Sequence, residues 1–431
     1  MIPKPDSFPR TLALALAAFL VAALFAAPLA RAEEPAAEPE PAPAAEKPAD
    51  AADAAKPPAD APGDEFRDLR NLYRENPAKA ADGFRAFLVK YPAGEWADDA
   101  HYWLAMSLER AKAKRKDVLE AWEQLVVKFP ESGYVPDALF AVGDLWQNRA
   151  ERPEDYTQAI RAYQTFLDRF PANARAGEAL LRLGEICDRL RNYDASATWF
   201  RRVLDEHAQS PFAARARVAL AAVYLKMKKP ADALALYEQL LKTELTEMQR
   251  VAARLGEVDC YLMQDGGIKT AVDACAAIRE EARQKKTLED YTDLKTREKL
   301  AGFYVGRKDY ANAEAEYQAY LARFPNSEGA LQAKSSVGGI RLTAGKPAEA
   351  REMFRAVAAT LEPGAEKPSG LILRAMLNEA YTYELEKNFP AAKALYKKLS
   401  DTYPRTSEAR EASRRLERIE KAEQAAKSEK K

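Results

Sequence analysis

Through most of this chain the apolar positions fall four and three residues apart. Ala80, Phe84 and Phe87 set the pattern, and Ala159/Tyr163/Phe166, Ala233/Tyr237/Leu240, Ala313/Tyr317/Tyr320 and Ala392/Tyr396/Leu399 repeat it. Such steps return to one face of a 3.6-residue helix, so each segment predicts a helix that buries its aromatic and turns charged residues outward. Tyr91-Pro92, Phe129-Pro130, Phe170-Pro171, Phe324-Pro325 and Tyr403-Pro404 close such helices, and His207 takes that place without a proline. A proline cannot continue a helix and restricts the residue before it, so these are stops. A partner helix precedes each of these, marked by an apolar-small pair: Leu104-Ala105, Val142-Gly143, Leu183-Gly184, Leu220-Ala221, Leu255-Gly256, Leu300-Ala301 and Val337-Gly338. A helical Gly costs about 1 kcal/mol against Ala, so its recurrence predicts a close crossing between paired helices. Gly184→Ser196, Ala221→Ala233, Ala301→Ala313 and Gly338→Ala350 are each 12 residues apart, which predicts the touching residues.

The aromatic anchors step through Phe84, Trp122, Tyr163, Phe200 and Tyr237, then Tyr317, Phe354 and Tyr396, at intervals of 38, 41, 37, 37, 37 and 42. The 80-residue gap from Tyr237 to Tyr317 is two intervals, with Cys275 where an anchor is missing. A period of this size means a solenoid of supersecondary units that pack on their neighbours. The expectation is an all-α, right-handed superhelix of about nine helical hairpins over 64–404, with 405–431 as a polar capping helix and tail. Pair nine departs from the pattern, with Glu379-Ala380 in the apolar-small place; 149–155 and 282–294 are lengthened connections and candidate bends.

Small residue, then Ala and an aromatic, then a closing proline: the constellation resembles the tetratricopeptide repeat, which implies a protein-binding scaffold. Within that class, Phe87-Leu88-Val89-Lys90-Tyr91-Pro92 running on to Ala97-Asp98-Asp99-Ala100-His101-Tyr102-Trp103-Leu104 is similar to the Tol–Pal-associated periplasmic coordinator family. Val126-Val127-Lys128-Phe129-Pro130-Glu131-Ser132 and the following Asp137–Gly143 are similar to it as well. The aromatic-Pro-x-Ser turn also resembles the repeat lipoprotein of the β-barrel assembly complex. The chain lacks the N-terminal coiled coil of the first family and the lipidated cysteine of the second. The resemblance implies an adaptor coordinating envelope machines with wall synthesis, or alternatively a structural part of outer-membrane protein assembly.

The N-terminus carries a different pattern. Lys4 and Arg10 precede the 16-residue apolar run Leu12–Ala27, and Ala30-Arg31-Ala32 has the small-x-small form of a signal-peptidase site. Residues 1–32 therefore predict a signal peptide cleaved after Ala32 and a periplasmic mature protein; an uncleaved membrane anchor is the alternative. Residues 33–63 are almost entirely Ala, Pro, Glu and Asp, a composition that cannot build a core and predicts an extended acidic tether. Cys187, Cys260 and Cys275 fall on apolar helix faces and predict buried small side chains. A Cys260–Cys275 bridge is disfavoured by a separation of roughly two helical turns.

With 66 basic and 66 acidic residues, no bulk field favours nucleic acid or acidic lipid. No catalytic set, metal-ligand spacing or phosphate loop is present, so the expectation is a non-enzyme without cofactor or metal. His101 and His207 lie in different repeats, and packing is the expected role of His207. First helices line the inner side of such an array, and counting from each small residue gives the inward places. These are Asp99, Tyr102, Met106 and Glu109; Asp137, Phe140, Asp144 and Gln147; Glu178, Leu181, Glu185 and Asp188. The candidate partner-binding residues are Asp99, Tyr102, Met106, Phe140, Asp144, Gln147, Glu185 and Asp188. They predict an acidic groove with exposed rings, turning basic at Arg215, Arg250 and Lys295, suited to a short basic or amphipathic segment. An ordinary solvated face is the competing reading.

Overall fold

The computed structural model describes residues 61–361 and 368–428; the expected signal peptide and residues 33–60 of the tether lie outside them. Among the described residues there are nineteen helices and no strand, so the chain is all-α, as expected. They fall into two compact units, one ending at Lys229 and one beginning at Pro230.

The first unit contains α1 (Ala61–Glu75), α2 (Pro77–Lys90), α3 (Ala97–Arg110), α4 (Arg115–Lys128), α5 (Val135–Asn148), α6 (Pro153–Arg169), α7 (Ala176–Arg189), α8 (Tyr193–Glu206) and α9 (Ala213–Lys226). The second contains α10 (Pro230–Leu241), α11 (Glu247–Met263), α12 (Ile268–Lys285), α13 (Glu289–Gly306), α14 (Tyr310–Arg323), α15 (Glu328–Thr343), α16 (Pro347–Ala358), α17 (Gly370–Leu385), α18 (Phe389–Thr402) and α19 (Ser407–Ser428). Within each unit every helix packs on its chain neighbours, and alternate helices such as α7 and α9, or α13 and α15, also touch. That is the contact pattern of stacked hairpins. Helix α1 opens three residues inside the expected tether, with Pro62 in its first turn, where no intrahelical N–H bond is forfeited.

A ring against a missing side chain holds the hairpins together. A Cβ on Gly143 would stand 2.6 Å from the Tyr163 ring, one on Gly338 2.8 Å from that of Phe354, and one on Gly184 would overlap Phe200. Those rings are at most 1% exposed. Of the predicted small-to-small pairings, Gly184–Ser196 is made beside the ring, where Ser196 Oγ donates to the Gly184 carbonyl at 2.8 Å. The sixth pair departs from this rule: Gly256 in α11 is filled by Tyr237 of the preceding helix α10. Cys275 on α12 turns instead to α13, with its Sγ 3.7 Å from the Thr296 carbonyl oxygen.

Helix ends repeat as faithfully as helix faces. Before each closing proline the aromatic cap has φ between −133° and −126° and ψ between 52° and 67° at Tyr91, Phe129, Phe170, Phe324 and Tyr403. His207 reaches φ −134°, ψ 40° without a proline, so packing suffices for the stop. At the turns inside the hairpins, Lys112, Arg191, Lys228, Lys308 and Lys387 occupy left-handed backbone with φ between 55° and 63°. Each sits at a helix C-terminus, where a cation suits the dipole, and Asn192 N–H then closes on the Cys187 carbonyl at 2.8 Å.

Gly184→Ala is expected to destabilise the protein by about 1–3 kcal/mol, because Phe200 cannot yield as a flexible chain would. Shrinking the ring with Phe200→Leu in the same chain should recover part of that loss. Urea denaturation of the single and double variants checks this, and strict additivity of the two losses would contradict the contact. Arg191→Gly should gain about 0.5–1 kcal/mol by relieving the left-handed backbone, read by the same unfolding curves.

Candidate partner-binding face

The inward places of α3, α5 and α7 all lie within the first unit. Their rings are not exposed, contrary to the sequence expectation. Tyr102 is 8% exposed, stacked on Tyr134 at 4.3 Å between centroids and edge-on to Trp122 at 5.5 Å. Phe140 is fully buried against Tyr163 and Phe166, with the Arg175 guanidinium 3.4 Å above its ring centre. The place three before the small residue faces the seam between its own hairpin and the start of the next. Leu181 is buried there too. These side chains build the face from beneath and present nothing to a partner.

The carboxylates above them divide into two sets. Toward α7 they are neutralised. Glu178 meets Arg175 and Arg182 at 3.4 and 3.2 Å, Glu185 pairs with Arg215, and Asp188 accepts from Lys226 at 2.6 Å. Arg215 therefore offsets the acidic row rather than beginning a separate basic one. In the second unit Lys295 is likewise paired, with Glu298 at 2.7 Å.

Toward α3 and α5 the balance differs, since no ion pair reaches Asp99, Glu109 or Asp144 among the described residues. Burial pushes all three carboxyls above the ordinary range. The Tyr134 hydroxyl, donating at 2.6 Å, and the charge of Arg70 oppose this at Asp99. Glu109 is pushed further up by the Asp144 charge and drawn down by Arg149 and the Trp122 indole. Asp144 accepts from the Tyr163 hydroxyl at 2.6 Å, and Gln147 Oε1 lies 3.1 Å from the same hydroxyl. Met106 is half-buried between Asp99 and Glu109 along α3. Arg182 and Arg175 also draw Asp144 down, without pairing with it. Half-buried charge outside an ion pair is costly to the fold, and a cation from outside would relieve it.

Tyr134 and Trp122 belong to this face, and the inward count along first helices missed both. Tyr134 stands in the turn before α5 and Trp122 on the second helix α4, so neither is reached by that count. The remaining candidates have packing roles. Burial lowers the His101 pKa to about 4, and its ring packs 5.6 Å from that of Phe129. Cys187, Cys260 and Cys275 are free and buried, and burial pushes the Cys260 and Cys275 thiols up to about 12. Among the described residues there is no metal-holding cluster, and no helix is long and apolar enough to cross a membrane.

Two tetratricopeptide-repeat family models match the chain, over residues 148–214 and 374–406. Both stretches therefore carry tetratricopeptide repeats. The first match runs from the end of α5 through α8, and the second covers α18 with most of α17. No curated protein matches the chain. Solved structures with related folds include a tetratricopeptide repeat protein from Parabacteroides merdae, 16% identical, covering 66% of this chain and 98% of that one with a TM-score of 0.39. Another is the C-terminal part of a repeat protein from Cytophaga hutchinsonii, 15% identical, covering 62% and 98% with a TM-score of 0.46. A third is PilW, described as a widely conserved type IV pilus biogenesis factor, 16% identical, covering 65% and 98% with a TM-score of 0.31. Likeness of this degree does not bear on what the repeats of this chain bind.

Two substitutions on the face should act in opposite directions. Phe140→Ala empties a buried ring site and is expected to cost about 3–5 kcal/mol in chemical denaturation. Asp144→Asn keeps an oxygen for the Tyr163 hydroxyl but removes a carboxyl whose folded pKa lies above its unfolded one. Such a group favours folding below the unfolded pKa, and that favour is lost as pH rises through the folded value. The variant should therefore be more stable than the parent at pH 7, and the gain should vanish below the ordinary Asp value of 3.8. Equal stability of the two across that range would show that the carboxylate is not held at a cost.

Proposed function

We propose that this protein is an exported, non-catalytic scaffold of the bacterial envelope that binds a protein partner on the face of α3 and α5. The observation that carries the binding reading is the set of Asp99, Glu109 and Asp144, half-buried charges left without ion pairs while their neighbours on α7 are neutralised. Tetratricopeptide repeats are a protein-interaction scaffold, which supports the same class of role. Export rests on the apolar run Leu12–Ala27 and the Ala30-Arg31-Ala32 site. The sequence likeness to the Tol–Pal-associated coordinator family supports an adaptor that links envelope machines with wall synthesis. The assembly-subunit reading, suggested by the aromatic-Pro-x-Ser turn, asks for a wide apolar surface. The exposed large apolar side chains among the described residues are the scattered Val89, Val127, Leu190 and Leu385, which favours the adaptor.

Mass spectrometry of the protein purified from the envelope should give a chain beginning at Glu33; an intact N-terminus would instead mark the anchored form. For the binding face, Asp99→Asn, Glu109→Gln and Asp144→Asn together should leave folding intact. They should weaken the partner at least tenfold, about 1.4 kcal/mol, with reduced salt dependence. Unchanged affinity and salt dependence would remove this face from the interaction.

A further inference from the structure

The acidic face has a geometry that limits what it can hold. Asp99 and Glu109 stand ten residues apart on α3 and face the same side, so about 15 Å separates them along the helix. Met106 lies between them, and Asp144 on α5 faces Glu109 closely enough to raise its pKa. A second feature points to an absent ligand. The Trp122 side chain is 1% exposed and its indole N–H has no hydrogen-bond partner, although it is directed at the Glu109 carboxylate. A buried donor left without a partner is rare. Repulsion from Asp144 is a reason for the gap, and a cation placed between the two carboxylates would remove it and let Glu109 close on the indole.

We propose that the partner enters this face as an extended segment with two cationic side chains four residues apart and an apolar side chain midway. One cation meets Glu109 and Asp144, the other meets the Asp99 oxygen not taken by Tyr134, and the apolar residue covers Met106. The spacing follows from the strand rise of about 3.3 Å per residue, which carries four residues over about 13 Å. Positions i, i+2 and i+4 of a strand also share one side, whereas i+3 and i+5 turn to the other. A helical segment is disfavoured because its i and i+4 positions lie only about 6 Å apart. This inference rests on the proposed binding face and adds to it the form and charge spacing of the occupant.

The test uses the purified full-length mature chain and three peptides of identical composition, with a Leu between two Lys residues spaced at i,i+3, i,i+4 or i,i+5. The i,i+4 peptide should bind at least tenfold more tightly than the other two, and Asp99→Asn or Glu109→Gln should abolish the preference. Binding should also change indole fluorescence, and that change should be lost in Trp122→Phe; a change that survives this substitution would overturn the role given to the indole. Equal affinities for the three peptides, still sensitive to Glu109→Gln, would overturn the extended arrangement while leaving the binding face in place. Affinities insensitive to Asp99→Asn and Glu109→Gln alike would overturn both.

Discussion

Everything in this chain depends on an aromatic ring lying against a helix that has given up a side chain. Tyr163 on Gly143, Phe200 on Gly184 and Phe354 on Gly338 are the same contact made in three of the hairpins. The ring contributes the largest apolar area in its repeat, and the small residue lets the two helix backbones approach closely enough to bury it. A glycine at the centre of a helix is unfavourable by itself. It is tolerated because the ring it admits offsets that cost. Where Cys275 replaces the ring, Tyr237 of the helix before fills Gly256, so the small residue keeps its partner while the partner's origin changes.

Choosing tyrosine rather than phenylalanine for several of these rings has a second consequence. A buried phenol is costly without an acceptor, and two of these find one among the polar residues of the inner face. Tyr163 takes Asp144, and Tyr396 takes Glu384 at 2.7 Å. Glu384 is in turn held by Arg415 at 3.3 Å, which ties α17 to the closing helix α19. The inner-face carboxylates therefore serve the packing beneath them as well as the surface above. That double duty is why mutating Asp144 to a residue that cannot accept would confuse loss of packing with loss of binding, and why the asparagine variant separates them.

The contrast between α7 and its predecessors is the functional argument in physical terms. Glu185 and Asp188 are answered by Arg215 and Lys226, 30 and 38 residues further on, and so are spent within the fold. Asp99, Glu109 and Asp144 receive hydroxyl and indole neighbours, and the cations nearest them, Arg70, Arg149, Arg175 and Arg182, form no ion pair with them. Solvated ion pairs add little to stability or to recognition, because water and the partner side chain already satisfy them. Partly desolvated carboxylates outside any ion pair are different. They are unfavourable until a cation arrives, and that difference is available to binding.

Local order was legible in the residues themselves. The four-and-three spacing predicts the helices, the aromatic-proline pairs their ends, and the Gly184–Ser196 interval a hairpin contact that the Ser196 hydroxyl makes. These features follow from helical geometry, which repeats every few residues and needs no knowledge of distant partners. What the spacing could not decide was exposure. It places Tyr102 and Phe140 on the inner side, yet Tyr134 covers the first and Arg175 the second, each arriving from the turn before the next hairpin. Nor could it separate paired from unpaired acids, since the cations that neutralise Glu185 and Asp188 lie one repeat away. Burial and charge pairing are set by side chains brought together through stacking, so only the tertiary structure selects which carboxylates remain for a partner.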